Sequence, residues 1–154
     1  MAVSTRKNPA APAPPPVARY PFGKVMVAWL IATVVATVLN YAVWWIATGP
    51  LGIVSDFGPY AMPAFVAIYT ALFLLIAAII FWALARRATN VPALWGRVAL
   101  IGLLVSLIPN VLAMFGMMPP MMGTMTLAAN LGLLVMHVLS YLVALWAFPR
   151  FGRA

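Results

Sequence analysis

Four long apolar runs constrain the fold of this 154-residue chain more than any other feature of its sequence. The runs cover residues 25–47, 63–85, 98–118 and 125–148. Each reaches the length of about 20 residues that a helix needs to cross a bilayer. Only 6% of the residues are charged, whereas a soluble domain contains about 25%. The sequence therefore predicts an all-α fold, with four transmembrane helices in a membrane domain of residues 25–148.

The nine lysine and arginine residues all lie outside these runs and occupy alternate connections. They precede the first run, lie between the second and third, or follow the fourth: Arg6, Lys7, Arg19, Lys24, Arg86, Arg87, Arg97, Arg150 and Arg153. Because basic residues stay on the cytoplasmic side of a membrane, both termini are predicted to be cytoplasmic. The short connections favour an up-down-up-down bundle of neighbouring helices. The expected location is the inner (plasma) membrane, which the chain crosses in several passes.

The two ends of the chain differ in composition from the membrane domain. Residues 1–24 are basic and rich in proline, which favours an extended cytoplasmic tail, either disordered or lying along a partner. Residues 149–154 form a second, short cytoplasmic tail. The net charge of +8 is dispersed, and orientation together with attraction to anionic lipid headgroups accounts for it. The bilayer is therefore an expected partner and nucleic acid is not.

Small residues recur at helical spacing on two of the predicted helices. They are Ala28, Ala32 and Ala36 in the first span, and Ala128, Gly132, Ser140 and Ala144 in the fourth. Such rows let helix backbones approach closely in lipid, where the hydrophobic effect does not drive helices together. We interpret them as packing faces, within the bundle or between subunits.

Three amides and the single histidine interrupt the apolar runs. With a neighbouring tyrosine they form one predicted cluster in the outer half of the membrane: His137, Asn40, Asn110, Asn130 and Tyr141. Polar residues inside a membrane suggest a site for a ligand, a proton or a quinone, or hydrogen bonds that hold helices together. Haem ligation is a further interpretation of the histidine, although two histidine ligands from one chain are excluded.

Six methionines crowd the outer ends of the third and fourth spans: Met114, Met117, Met118, Met121, Met122 and Met125. Thioethers bind Cu(I), but methionine also fills irregular apolar surfaces. Packing, either internal or against a partner, is the favoured interpretation. The chain has no cysteine, which excludes thiolate metal sites. No cofactor is therefore predicted, and haem and copper stay as alternatives.

The sequence lacks the combinations of residues that common catalytic sites require. Asp56 is the only acidic residue and lies in an outer connection. A carboxylate pair, a Ser-His-Asp triad within the membrane and a glycine-rich phosphate loop all lack the residues they need. We expect no enzymatic activity.

Several short motifs resemble a family of small bacterial four-helix membrane proteins that is catalogued as a domain of unknown function. They are Asn40, Arg86-Arg87, the Ser-Leu-Ile-Pro stretch 106–109, the Leu-Val-Met-His-Val stretch 134–138, and Pro149-Arg150. The similarity covers residues 25–150. It implies the four-helix membrane fold and supplies no mechanism.

The sequence leaves two candidate functions open. The first is an accessory subunit that docks onto other membrane-protein subunits of a larger assembly, such as an energy-converting complex. The second is a small transport or ligand-binding protein that uses the polar cluster around His137.

Overall fold

The computed structural model describes residues 19–154, with only the backbone of Pro59. It contains the helices α1 Phe22–Thr48, α2 Gly58–Ala61, α3 Pro63–Ala85, α4 Val91–Ser106, α5 Ile108–Met114 and α6 Leu127–Phe151, and a short 3-10 helix Pro120–Met122. Residues 19–154 contain no strand, so the all-α prediction is confirmed. Residues 1–18 of the predicted proline-rich tail lie outside the described part of the chain.

Within residues 19–154, four helical segments are long and apolar enough to cross a membrane, as the sequence predicts. They are Phe22–Thr48, Pro63–Ala85, Val91–Met114 and Leu127–Phe151. Their exposed sides are mostly aliphatic and are suited to contact with lipid. The third segment begins at Val91 rather than at residue 98, and the fourth continues to Phe151 rather than ending at residue 148.

The third segment consists of two helices that meet at Leu107. Pro109 lies in the first turn of α5 and has no N–H to continue the hydrogen-bond ladder of α4. The hydroxyl of Ser106 donates to the carbonyl of Leu103 at 2.7 Å. At the other end, Asn90 caps α4 by accepting from the N–H of Ala93 at 3.2 Å. An amide cap followed by a proline in the first turn explains the early start of this helix.

Large aromatic rings fill one end of the bundle, which we call the termini-side core. The N–H of Ala154 donates to the carbonyl of Arg19 at 3.0 Å, so both described ends of the chain lie there. Phe81 packs edge-on against Tyr20 and Trp95, with ring centroids 5.1 and 5.3 Å away. Phe148 lies 5.5 Å from Trp95. The predicted small-residue face of α1 joins this core, because its three alanines are fully buried: Ala28, Ala32 and Ala36.

A second hydrophobic core, which we call the loop-side core, fills the opposite end. Its buried members are Ala47, Phe57, Tyr60, Val66, Ala113, Ala129 and Met136. Tyr60 comes from α2 and is 1% exposed. Its carbonyl accepts a hydrogen bond from the indole of Trp44 at 2.9 Å, which fixes the short helix against the end of α1.

Candidate functional site

The amide of Asn40 joins three of the long helices. Its Nδ2 donates to the hydroxyls of Thr70 on α3 and Ser140 on α6, each at 3.0 Å. Asn40 is only 2% exposed, and its Oδ1 has no hydrogen-bond partner among residues 19–154. Ser140, predicted as a packing residue, thus also has a polar role. The sequence did not predict a polar contact for Thr70, although hydroxyl residues commonly form interhelical hydrogen bonds in membranes.

His137 forms a separate contact, between α6 and α4. Its Nδ1 lies 3.2 Å from Oγ of Ser106. The single hydroxyl proton of Ser106 is used in the bond to Leu103. With that hydroxyl proton engaged, the contact is a hydrogen bond when Nδ1 carries a proton and donates to Ser106. Ser106 belongs to one of the family motifs, but the sequence did not predict its contact with His137.

Four further polar atoms are buried without a hydrogen-bond partner among residues 19–154: the hydroxyls of Thr33 and Tyr60, Nδ2 of Asn110 and Oδ1 of Asn130. Asn110 on α5 therefore has an unpaired donor, and Asn130 on α6 has an unpaired acceptor. Burial raises the pKa of Tyr60. Gly132, predicted as a packing residue, lies beside Tyr60, because a Cβ added there would be 3.5 Å from the tyrosine ring.

The polar cluster predicted from the sequence is thus divided in the structure. Asn40 binds residues of α3 and α6, and His137 binds a residue of α4. Tyr141 packs against the termini-side core. Among residues 19–154, no side-chain hydrogen bond links two members of the predicted cluster. The partners lie on other helices, and residue spacing along a single helix does not identify them.

Asp56 joins two connections on the loop side. Its Oδ1 accepts from the hydroxyl and the N–H of Thr124, the latter at 2.9 Å, and Ser55 donates to the carbonyl of Thr124 at 2.9 Å. The Thr124 hydroxyl, followed by its N–H, lowers the pKa of Asp56. Gly123 is required beside this contact, because its φ is 78° and a Cβ there would overlap the carbonyl of Asp56. We call this contact the Asp56–Thr124 clamp.

The methionines near the clamp divide into two groups. Met118, Met122 and Met125 pack against the loop-side core, whereas Met117 and Met121 are 68% and 92% exposed. Met114 ends α5 and is partly buried. A thioether copper site would need several sulfurs on one centre, and the burial pattern separates these side chains into inward-facing and outward-facing sets.

A protein-family model described as "Family of unknown function (DUF6069)" matches residues 21–154. No curated protein and no solved structure matches the chain. The matched range contains the two hydrogen bonds of the Asn40 amide, His137 and the Asp56–Thr124 clamp, and it omits most of the proline-rich tail.

Proposed function

The chain belongs to the DUF6069 family, which has no assigned function, and we propose that it is a non-catalytic accessory subunit of a larger membrane assembly. An energy-converting complex of a bacterial inner membrane would be one such assembly. In this proposal the chain forms an up-down-up-down bundle with both termini on the cytoplasmic side. Contacts of the end of α1 with the start of α3 support that order, since the Tyr41 hydroxyl donates to the Pro63 carbonyl at 2.8 Å.

One observation carries the proposal: the connections on the loop side expose large apolar residues. Val54 is 80% exposed, Phe115 73%, Met117 68% and Met121 92%. All four lie outside the four long apolar helices. Apolar side chains exposed beyond a membrane span mark contacts with a partner or with lipid headgroups, and methionine adapts its shape to a partner. We call these four residues the loop-side apolar surface.

The backbone that carries this surface is already fixed by internal contacts. The Asp56–Thr124 clamp ties the connection after α1 to the connection before α6. Backbone hydrogen bonds such as Ile53 N–H to the Ala47 carbonyl at 2.8 Å hold the first connection on the helix end. A surface ordered in advance loses less conformational entropy when it binds a partner.

The test is purification of the full chain from its native membranes in mild detergent, with the proteins that co-migrate identified and quantified. The variant Met117→Ser/Met121→Ser should lose most of the co-migrating partner, since it removes apolar contact area. The matched variant Met117→Leu/Met121→Leu should retain it, because leucine preserves the apolar surface and removes only the thioethers. If the wild-type protein migrates alone, as a monomer or a small homo-oligomer, the accessory-subunit proposal is wrong.

The second candidate is a small transport or ligand-binding protein, and the unpartnered buried atoms favour it. A polar group without a partner costs several kcal/mol in a bilayer, and a hydrogen-bonding ligand would satisfy the unpaired atom of Asn110 or that of Asn130. For this candidate, His137→Ala and Asn110→Leu should fold as the wild type but fail to restore the phenotype of a deletion strain. The accessory-subunit proposal expects both variants to restore it with normal co-migration.

A further inference from the structure

We propose that the connection between α3 and α4 binds the phosphate headgroup of an anionic membrane lipid. A pocket of about 550 Å³ opens there. Its lining includes the aromatic and basic side chains of Trp82, Arg86 and Arg87 and the apolar side chains of Leu84, Ala88 and Leu94. This site is independent of the loop-side apolar surface, because it lies between the end of α3 and the start of α4 and involves none of the same residues.

The two arginines of the pocket have no acidic side chain of this chain to neutralise them. Asp56 is the only acidic residue in the sequence, and the clamp holds it beside Thr124 in the loop-side connections. Both guanidinium groups are exposed. A guanidinium presents paired N–H donors that match two phosphate oxygens, so this pair of arginines is suited to a phosphate.

Trp82 orients one of these arginines. The guanidinium carbon of Arg86 lies 4.8 Å from the centre of the Trp82 ring, in the range of a cation–π contact. Phe22 packs edge-on against the same indole at 5.2 Å and fixes its position. Because tryptophan prefers headgroup depth, the stacked Arg86 is held where lipid phosphates lie.

The helix ends do not determine the charge preference of the site. The end of α3 carries a partial negative charge and the start of α4 a partial positive one, so the two oppose each other. The attraction for an anion therefore comes from Arg86 and Arg87.

The apolar part of the lining favours a lipid over a free phosphate. Leu84, Ala88 and Leu94 offer no hydrogen-bonding side chain to a small anion, but they can contact the glycerol and first acyl carbons of a lipid. Basic pockets between transmembrane helices bind anionic lipid headgroups in this way.

The experiment measures lipids retained by the full chain, by native mass spectrometry after release from detergent micelles that contain equal phosphatidylglycerol and phosphatidylcholine. The wild type should retain phosphatidylglycerol selectively. The variant Arg86→Gln/Arg87→Gln should bind it on the order of tenfold more weakly, since each basic residue near the surface contributes to the attraction. Helical circular dichroism and size-exclusion elution establish that this variant is folded, and Arg86→Lys/Arg87→Lys should fall between the two.

A matched control and a competitor complete the test. Arg150→Gln removes an arginine that also lies near an aromatic ring, 5.9 Å from Phe151, but outside the pocket, and it should retain the selectivity. Inorganic phosphate and glycerol 3-phosphate should not displace the lipid. The proposal is overturned if Arg150→Gln weakens binding as much as the pocket variant, or if the pocket variant binds normally. Displacement by free phosphate would show an anion site and overturn the lipid assignment.

Discussion

The two cores of the bundle differ in how their polar groups are satisfied. In the termini-side core the polar atom of the central tryptophan has a partner, since the indole of Trp95 donates to the Ala144 carbonyl at 3.3 Å. In the loop-side core the hydroxyl of Tyr60 is buried without one. Dense aromatic packing is typical of a region that stabilises a fold. A buried polar atom without a partner requires an explanation, and for Tyr60 the proposed functional role of the loop side would supply one.

The largest effect on stability is expected from Phe81→Ala in the termini-side core. Phe81 is fully buried and contacts the rings of Tyr20, Trp95 and Phe148. Removing a buried phenyl ring costs about 3–5 kcal/mol. Reversible unfolding in mixed micelles measures the loss. Ile79→Ala on the same helix is the control, because Ile79 is 48% exposed and should change stability little.

A smaller effect is expected where the polar contact of Asn40 is removed. Asn40→Leu breaks two interhelical hydrogen bonds, each worth about 0.6 kcal/mol on average in a membrane protein, and leaves two hydroxyls without the amide. Asn110→Leu is the matched variant, because its Nδ2 has no partner among the described residues and leucine is similar in size. It should unfold at the same temperature as the wild type or higher. A loss of stability in Asn110→Leu equal to that in Asn40→Leu would contradict the assignment of their contacts.

The contact between Ser106 and His137 should contribute less to stability than the two hydrogen bonds of Asn40. A double-mutant cycle with Ser106→Ala and His137→Ala isolates the pair from the separate effects of each truncation. We expect a coupling of about 0.6 kcal/mol, the average for a hydrogen bond between membrane helices. A coupling indistinguishable from zero would mean that the two side chains do not stabilise each other.

The smallest effect, and the one that depends on pH, is expected at the clamp. The folded pKa of Asp56 lies below its ordinary value of 3.8, so its contribution to stability is complete above about pH 5. It declines as the pH falls through 3.8 towards the folded pKa. Between about pH 5 and pH 3, the melting temperature of the wild type should therefore decrease more steeply than that of Asp56→Asn, which lacks this titrating carboxylate. Equal acid dependence in both proteins would exclude the clamp as its source.

Much of the fold could be predicted because hydropathy and length are local properties of the chain. The four apolar segments could be identified without knowing which helices they pack against. The largest difference between a predicted and an observed boundary is at the start of the third segment, because Arg97 interrupts its apolar pattern and suggested a start at residue 98. In the structure Arg97 lies within α4 and is exposed, where a long side chain can extend its charge towards the headgroups. The signal that would have found the correct start is Asn90 followed by Pro92.

The candidate site could be predicted less well, because its contacts depend on distant residues. Asn40 was recognised as an unusual polar residue, but its partners Thr70 and Ser140 lie 30 and 100 positions away. The Asp56–Thr124 clamp likewise joins residues 68 positions apart. Small residues indicated one packing face of α1, but the sequence did not indicate which polar side chains on other helices would meet Asn40 or Asp56.

The sequence by itself therefore determined the helical class, the number of apolar segments and the residues that cannot rest in lipid without a partner. The energy of placing each side chain in lipid or water depends on that side chain and its immediate neighbours, so a linear pattern records it. Only the tertiary structure decided that Asn40 and His137 bond to different helices, that the single acid holds two connections together, and that Arg86 and Arg87 share a pocket with Trp82. These outcomes depend on the rotation and packing of whole helices against one another, and many residues determine them together.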